Sequence, residues 1–160
     1  MNIEIKEIQL NDFNEFLIAD PKLCYLGLCD QALDYLYHKK TVLLPEGSKL
    51  YGIYIEDILG CVIQSDFWSS ICTIFHMYVS TTLQHTGLTR KIQALMRDHI
   101  RDNTSYRKAL LYIPSPCEHV IMTAKAFGLK YEGTITNCME WRQKTVDLVI
   151  YGLELYEEHK

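Results

Sequence analysis

Ser70 to Asp102 reads SICTIFHMYVSTTLQHTGLTRKIQALMRDHIRD, and the rest of the chain can be ordered around it. Ile71 to Val79 is an apolar run rich in β-forming residues. The polar segment Ser80-Thr81-Thr82-Leu83-Gln84-His85-Thr86-Gly87 interrupts it. Leu88, Ile92, Leu95, Met96 and His99 then recur at i, i+4, i+7, i+8 and i+11, the period of a helix. The stretch is strand, loop, helix. The first turn of a helix leaves four N–H groups without intrahelical partners at the positive end of its dipole, so a small-residue turn there can hold a phosphate. Gly87 permits close approach of a ligand, and Thr86 or Thr89 supplies a hydroxyl. The same residues would also serve an ordinary strand-to-helix turn.

Upstream of this stretch, Ile3 to Ile8 alternates apolar with charged residues, as an edge strand does. Asn11 or Asp12 can cap a short helix, Phe13 to Ala19, closed by Pro21. Asp30 precedes a second helix with Ala32, Leu33, Leu36 and Tyr37 on one apolar face. After the turn cluster Pro45-Glu46-Gly47-Ser48, Lys49 to Ile55 and Ile58 to Gln64 form a hairpin about Glu56-Asp57. Phe67 to Ser70 is a loop, and the run Ile71 to Val79 completes an antiparallel meander.

Downstream, Asn103 and Thr104 end the central helix and Ala109 to Ile113 is a short strand. Ser115 before Pro116 reads as the cap of a helix with Val120, Ile121, Ala124 and Phe127 inward and Gly128 closing it. Lys130 to Ile135 and Val146 to Leu155 are the last strands. Glu154 to Lys160 is a charged tail expected to fray. The order is β-α-α-β-β-β-α-β-α-β-β in one domain, residues 1–160.

Composition narrows the function. With 160 residues, 48% apolar and 22% charged, the chain can build one core, and no apolar run approaches the roughly 20 residues that span a bilayer. A formal net charge of -4 argues against a nucleic-acid partner. Arg90, Lys91, Arg97 and Arg101, with Lys125 and Lys130 further on, form a local basic set that is either a solvated helix face or a phosphate contact. Cys24, Cys29, Cys61, Cys72, Cys117 and Cys138 include no C-x-x-C pair. With six scattered histidines, they predict reduced thiols and no metal. Met1-Asn2-Ile3-Glu4 lacks the features of a signal peptide, so a cytoplasmic product is expected.

Gln84-His85-Thr86-Gly87-Leu88-Thr89 resembles the acyl-CoA loop Q/R-x-x-G-x-G/A of the GCN5-related N-acetyltransferases, the GNAT superfamily, with Thr89 in place of Gly or Ala. Ala126 to Gly133, AFGLKYEG, is similar to that family's AGF-x-x-EG segment. Asp147 to Leu153, DLVIYGL, is similar to its closing strand, and the element order resembles the family's over nearly the whole chain. The resemblance implies an α/β fold with a mixed sheet that splays near Met77, Tyr78 and Val79. The backbone there would pair with the pantetheine arm of acetyl-CoA. Gln84, His85, Thr86, Gly87, Leu88 and Thr89 would hold the pyrophosphate, and Arg90 would add a charge-assisted bond.

For the chemistry, the resemblance implies acetyl transfer by direct attack of an amine, from a small molecule or a peptide, on the thioester. The family's glutamate base falls at Thr73, or on the next strand at Tyr112. Its acid tyrosine falls at Ala124, and an asparagine falls at Cys117. His76 and Tyr112 are the candidate catalytic residues, each with a packing role as the alternative. His119 reads as a surface residue, and Cys117 as a nucleophile has no base evident beside it. The rival reading is an inactive protein of this fold serving binding or assembly. Phage proteins of that kind, some associated with head assembly, resemble this chain in their divergence. Partners would then be a homodimer mate or phage structural proteins.

Overall fold

The computed structural model describes residues 1–156, with side chains for all of these except 25–27. Its elements are β1 (Ile3–Glu7), α1 (Leu10–Ile18), α2 (Pro21–Gly27), α3 (Asp30–Lys39), β2 (Lys49–Ile55), β3 (Ile58–Ser69), β4 (Cys72–Val79), α4 (Leu88–Asn103), β5 (Lys108–Pro114), α5 (Glu118–Ala126), β6 (Lys130–Trp141) and β7 (Lys144–Glu154). The strands hydrogen-bond in the order β1-β2-β3-β4-β5-β7-β6, with β1 at an edge as its alternation implies. β1–β2, β2–β3, β5–β7 and β6–β7 are antiparallel, and β4–β5 is parallel, Cys72 to Ile74 facing Lys108 to Leu110. This is the mixed α/β sheet expected of the GNAT fold. By contact, the chain falls into two units. One joins Met1–Asp66 to His76–Thr89, and the other joins Phe67–Phe75 to the chain from Arg90 onward.

In the first unit, the apolar faces of α1, α2, α3, β2 and β3 close on one core that includes Phe13, Leu17, Leu23, Leu36, Leu50 and Val62. Phe13 is 1% exposed and meets the Tyr78 ring at 5.1 Å, tilted by 52°. Here the structure adds a helix. Pro21 opens α2 instead of closing α1, because at the first helical position its missing N–H costs nothing and its fixed φ suits the helix. The Asp20 carboxylate caps it, accepting from Leu23 N at 3.2 Å. α1 begins three residues earlier than its expected start at Phe13. Its N-cap is Gln9, and Asp12 sits inside the first turn, accepting from Gln9 N at 3.0 Å. On α3, Leu36 is buried but Tyr37 is 54% exposed and leaves the expected face.

β3 runs through Phe67 and Trp68 to Ser69, so the loop expected at Phe67–Ser70 shrinks to a turn at Ser70-Ile71. Both aromatics are exposed, which is why they read as loop. The Glu56-Asp57 turn is as expected, both residues having positive φ, 48° and 66°, the geometry that matches strand twist in a two-residue hairpin.

In the second unit, α4 buries Ile92, Gln93, Met96 and Ile100, a stripe rotated slightly from the one expected, with Leu95 and His99 only half-buried. α5 is capped at Cys117, two residues later than Ser115, because Ser115 N is taken by Asp147 O at 2.9 Å and the chain turns once more before the helix. Ala124 is its buried residue, and Gly128 closes it at φ 94°. β6 extends to Trp141, beyond the expected Ile135, pairing with β7 around a turn at Arg142-Gln143. Residues 157–160 of the expected tail lie outside the described residues. No helix among those described is long and apolar enough to cross a membrane.

Candidate active site

In a strand, residues two apart share a face, so Gln64 and Asp66 project together from β3, and His76 and Tyr78 from β4. The four side chains form one polar network with Ser48. Asp66 Oδ1 accepts from Ser48 Oγ at 2.6 Å and from Gln64 Nε2 at 3.0 Å, and Oδ2 accepts from Gln64 Nε2 at 3.0 Å. His76 Nε2 stands 3.4 Å from Oδ2. The Tyr78 hydroxyl donates to Gln64 Oε1 at 3.4 Å. Gln64 and Asp66 are buried, whereas the His76 side chain keeps 32% of its surface exposed.

Burial by itself would raise the Asp66 carboxyl, but the bonds from His76, Ser48 and Gln64 outweigh it and hold the pKa below the usual carboxylate value. The Tyr78 phenol is pushed up, first by burial and then by the Asp66 charge, so it is a donor at neutral pH. The sequence does not single out Asp66, which lies between the strand expected to end at Gln64 and the loop expected to begin at Phe67, whereas β3 runs on to Ser69. The signal available was alternation, Gln64-Ser65-Asp66, continuing the strand.

The loop between β4 and α4 is fastened at both of its early residues. Asp20 Oδ2 accepts from Thr81 N at 2.9 Å, Thr81 Oγ1 donates to both carboxylate oxygens at 3.1 Å, and Ser80 Oγ lies 3.5 Å from Oδ2. Ser80 N donates to Gly60 O at 2.9 Å, and Leu83 packs where a side chain at position 60 would stand. Gln84 Nε2 then donates to Val79 O at 3.1 Å. His85 and Gly87 both take positive φ, 65° and 79°. Among the described residues, no atom beyond its two chain neighbours lies within 4 Å of where a Cβ on Gly87 would stand, so no side chain crowds the backbone on that side as it enters the sixteen-residue α4. Thr86 is turned inward to its own loop, its Oγ1 donating to Leu83 O at 2.6 Å and accepting from Leu88 N at 3.4 Å.

Asp20 thus serves α2 and the loop at once. Burial would raise its pKa, but the bonds from Thr81, Leu23 and Ser80 lower it overall. A folded pKa below the unfolded one contributes stability that is complete above about pH 4 and is lost as pH falls through the folded value. Asp20→Ala is expected to cost about 0.5–2 kcal/mol as a lost helix cap at pH 7, and less at pH 2. Urea denaturation of both proteins at the two pH values measures this.

Met77 is half-buried, and Tyr78 and Val79 are buried, so Tyr78 offers a ligand only its backbone. Thr73 is fully buried and its hydroxyl donates to Ile74 O at 3.3 Å, and Ala124 is buried. Both usual positions of proton transfer are therefore packing positions. Tyr112 is half-buried on β5 opposite Ile150 of β7, and His119 is exposed. The Cys117 thiol is buried and pushed up, first by that burial. Cys24 is pushed up to about 11 by burial and by Asp20. Arg90 and Lys91 are exposed. Arg97 and Arg101 pair with Asp98, and Arg101 also with Asp102, so these two belong to a charge network on their own helix. Beside the Ser80–Thr82 segment opens a cleft of about 490 Å³, lined in part by Asp12, Glu15, Asp20, Phe16 and Tyr54.

No protein-family model and no curated protein sequence matches the chain. Solved structures do match it in fold. A spermidine N-acetyltransferase from Vibrio cholerae, in complex with CoA and spermine, has TM-score 0.73 at 11% identity, covering 96% of this chain and 95% of its own. RimL, a ribosomal L7/L12 alpha-N-protein acetyltransferase in complex with coenzyme A, has TM-score 0.72 at 12% identity, covering 96% and 94%. YncA from Salmonella typhimurium, with its cofactor acetyl-CoA, has TM-score 0.69 at 15% identity, covering 100% and 98%. At these identities, the likeness establishes the fold.

Proposed function

We propose that this chain is an acetyl-CoA-dependent N-acetyltransferase acting by direct attack of a small-molecule or peptide amine. The observation that carries the reading is Gly87 at φ 79°, with open space where a Cβ would stand, at the start of α4 directly after β4. Backbone N–H groups at such a point meet an anion without interference from a side chain. The residues therefore fit the cofactor's pyrophosphate: Gln84 to Thr89 would hold it, with Arg90 as a charge-assisted donor, and the backbone of Met77 to Val79 would lie along the pantetheine arm. Bound there, acetyl-CoA supplies an activated acetyl thioester. His76 and Tyr112 would handle the proton, His76 being the better placed because its ring combines solvent access with a buried carboxylate partner. Solved proteins of this fold that carry CoA or acetyl-CoA support the choice of donor.

A second reading, an inactive protein of this fold used for binding or assembly, is favoured by the packed Thr73 and Ala124 at the usual catalytic positions. Calorimetric titration with acetyl-CoA and CoA separates the two, followed by a screen of polyamines, amino acids, aminoglycosides and peptide N-termini as acceptors. Gly87→Val forces a β-branched residue to leave or strain the left-handed region, at about 1–2 kcal/mol, which is about a tenfold change in an equilibrium constant. It is expected to weaken CoA binding at least tenfold with an unchanged circular-dichroism spectrum. Since no protein atom crowds that position, unaltered affinity would remove the loop from the site.

A further inference from the structure

An ionised carboxylate accepts hydrogen bonds and gives none, so the imidazole nitrogen facing Asp66 must carry the proton for the two to pair. That nitrogen is Nε2, at 3.4 Å. A neutral imidazole carries one N–H, which leaves Nδ1 with its lone pair free to take a proton. The carboxylate cannot readily turn away. Ser48 and Gln64 both donate to its Oδ1, Gln64 is in turn held by the Tyr78 hydroxyl, and the Tyr78 ring rests on Phe13 in the core. Besides His76, the titratable groups of the network among the described residues are Asp66 on β3, its pKa lowered by its hydrogen bonds, and Tyr78 on β4, its pKa raised by burial, so the first is ionised and the second protonated at neutral pH.

Resting on the acetyltransferase reading above, we infer that Asp66 is a positioning residue that fixes His76 as its Nε2–H tautomer, making Nδ1 the atom that takes the proton of the attacking amine. The C–N bond forms as the C–S bond breaks, and the electron pair of that bond leaves with sulfur. The proton held on Nδ1 passes to the thiolate, so the ring ends neutral and the products are the amide and the thiol.

Asp66→Asn tests this. Gln64 Nε2 donates equally to both oxygens, and Ser48 donates to Oδ1 alone, at 2.6 Å, so the asparagine oxygen is expected to stay on the Ser48 side with its NH₂ facing the ring. Nε2 then becomes an acceptor and Nδ1 carries the proton. Long-range ¹H–¹⁵N spectra of His76 in the full chain are expected to show the neutral ring as Nε2–H in the wild type and as Nδ1–H in Asp66→Asn. With the acceptor found in the screen, kcat is expected to fall by about 10²–10⁴-fold while KM for acetyl-CoA stays within threefold, and adding His76→Gln should cost little more.

A wild-type ring protonated on Nδ1 overturns the inference, whether or not Asp66→Asn folds. So does a tautomer that Asp66→Asn leaves unchanged, or one that changes while kcat stays within threefold of wild type. If acetyl-CoA does not bind, the functional reading fails and His76 loses its part in transfer. The spectra, needing no cofactor, still decide whether Asp66 fixes the ring.

Discussion

His76→Gln is expected to slow the proposed acetyl transfer by about 10²–10⁴-fold, the range lost with a positioned acid or base, and to leave the fold intact. Glutamine keeps the approximate reach of imidazole and can donate its amide N–H to Asp66, so the buried carboxylate keeps its partner and no uncompensated charge is created. What disappears is the imidazole, whose Nδ1 lone pair is the proposed proton acceptor. Tyr112→Phe is the companion measurement, removing a hydroxyl from a half-buried ring on β5 and nothing else. Steady-state kcat for the two variants separates the candidates: the one slowed at least tenfold handles the proton. If neither is slowed tenfold, both assignments fail, and the protein would work by orienting an amine that is already neutral.

Phe13→Ala is expected to cost about 3–5 kcal/mol, the usual range for emptying a fully buried aromatic site. The loss has two parts. The ring's burial ends, and the tilted contact that steadies Tyr78 goes with it, so the effect extends along the Gln64–Asp66 network. Against a typical total of 5–15 kcal/mol, this is a large fraction. Guanidinium unfolding should show a lower midpoint with an unchanged slope. Met122→Ala, at a site 69% exposed, is the control and should stay within about 0.5 kcal/mol. A Phe13→Ala midpoint no lower than that of the control would mean that the α1 face does not carry the core of its unit.

Much of this architecture could be read from local pattern. Strands β2, β4, β5 and β7 and helix α4 follow from runs and periods that need no knowledge of distant residues, and Gly87 and Gly128 were identified by the turns they permit. Pro21 is ambiguous in sequence because proline punctuates a helix from either side, and only the Asp20 bond to Leu23 shows which side applies. Asp66 escapes sequence reading for a related reason. A charged residue followed by two exposed aromatics looks like a loop, and its buried state depends on Ser48, Gln64 and His76 arriving at one place across two turns. Pairings of that kind depend on register, which residue-by-residue preference does not encode. His76 was singled out from the sequence, but whether its ring was a core residue or reached solvent was a question of tertiary packing. Thr73 and Ala124, where the resemblance would put the base and the acid, are both sealed in.

The double duty of Asp20 has a consequence for recognition. Binding an anion with a loop ordinarily requires the loop to surrender its conformational freedom at the moment of contact, and that loss is subtracted from affinity. Here the carboxylate that starts α2 has already arrested Ser80 and Thr81 during folding, and Gly60 seats Leu83. For an anion held here as proposed, the freedom still to be lost on contact would be confined to the few residues from Gln84 to Gly87, where His85 and Gly87 already hold their left-handed turns.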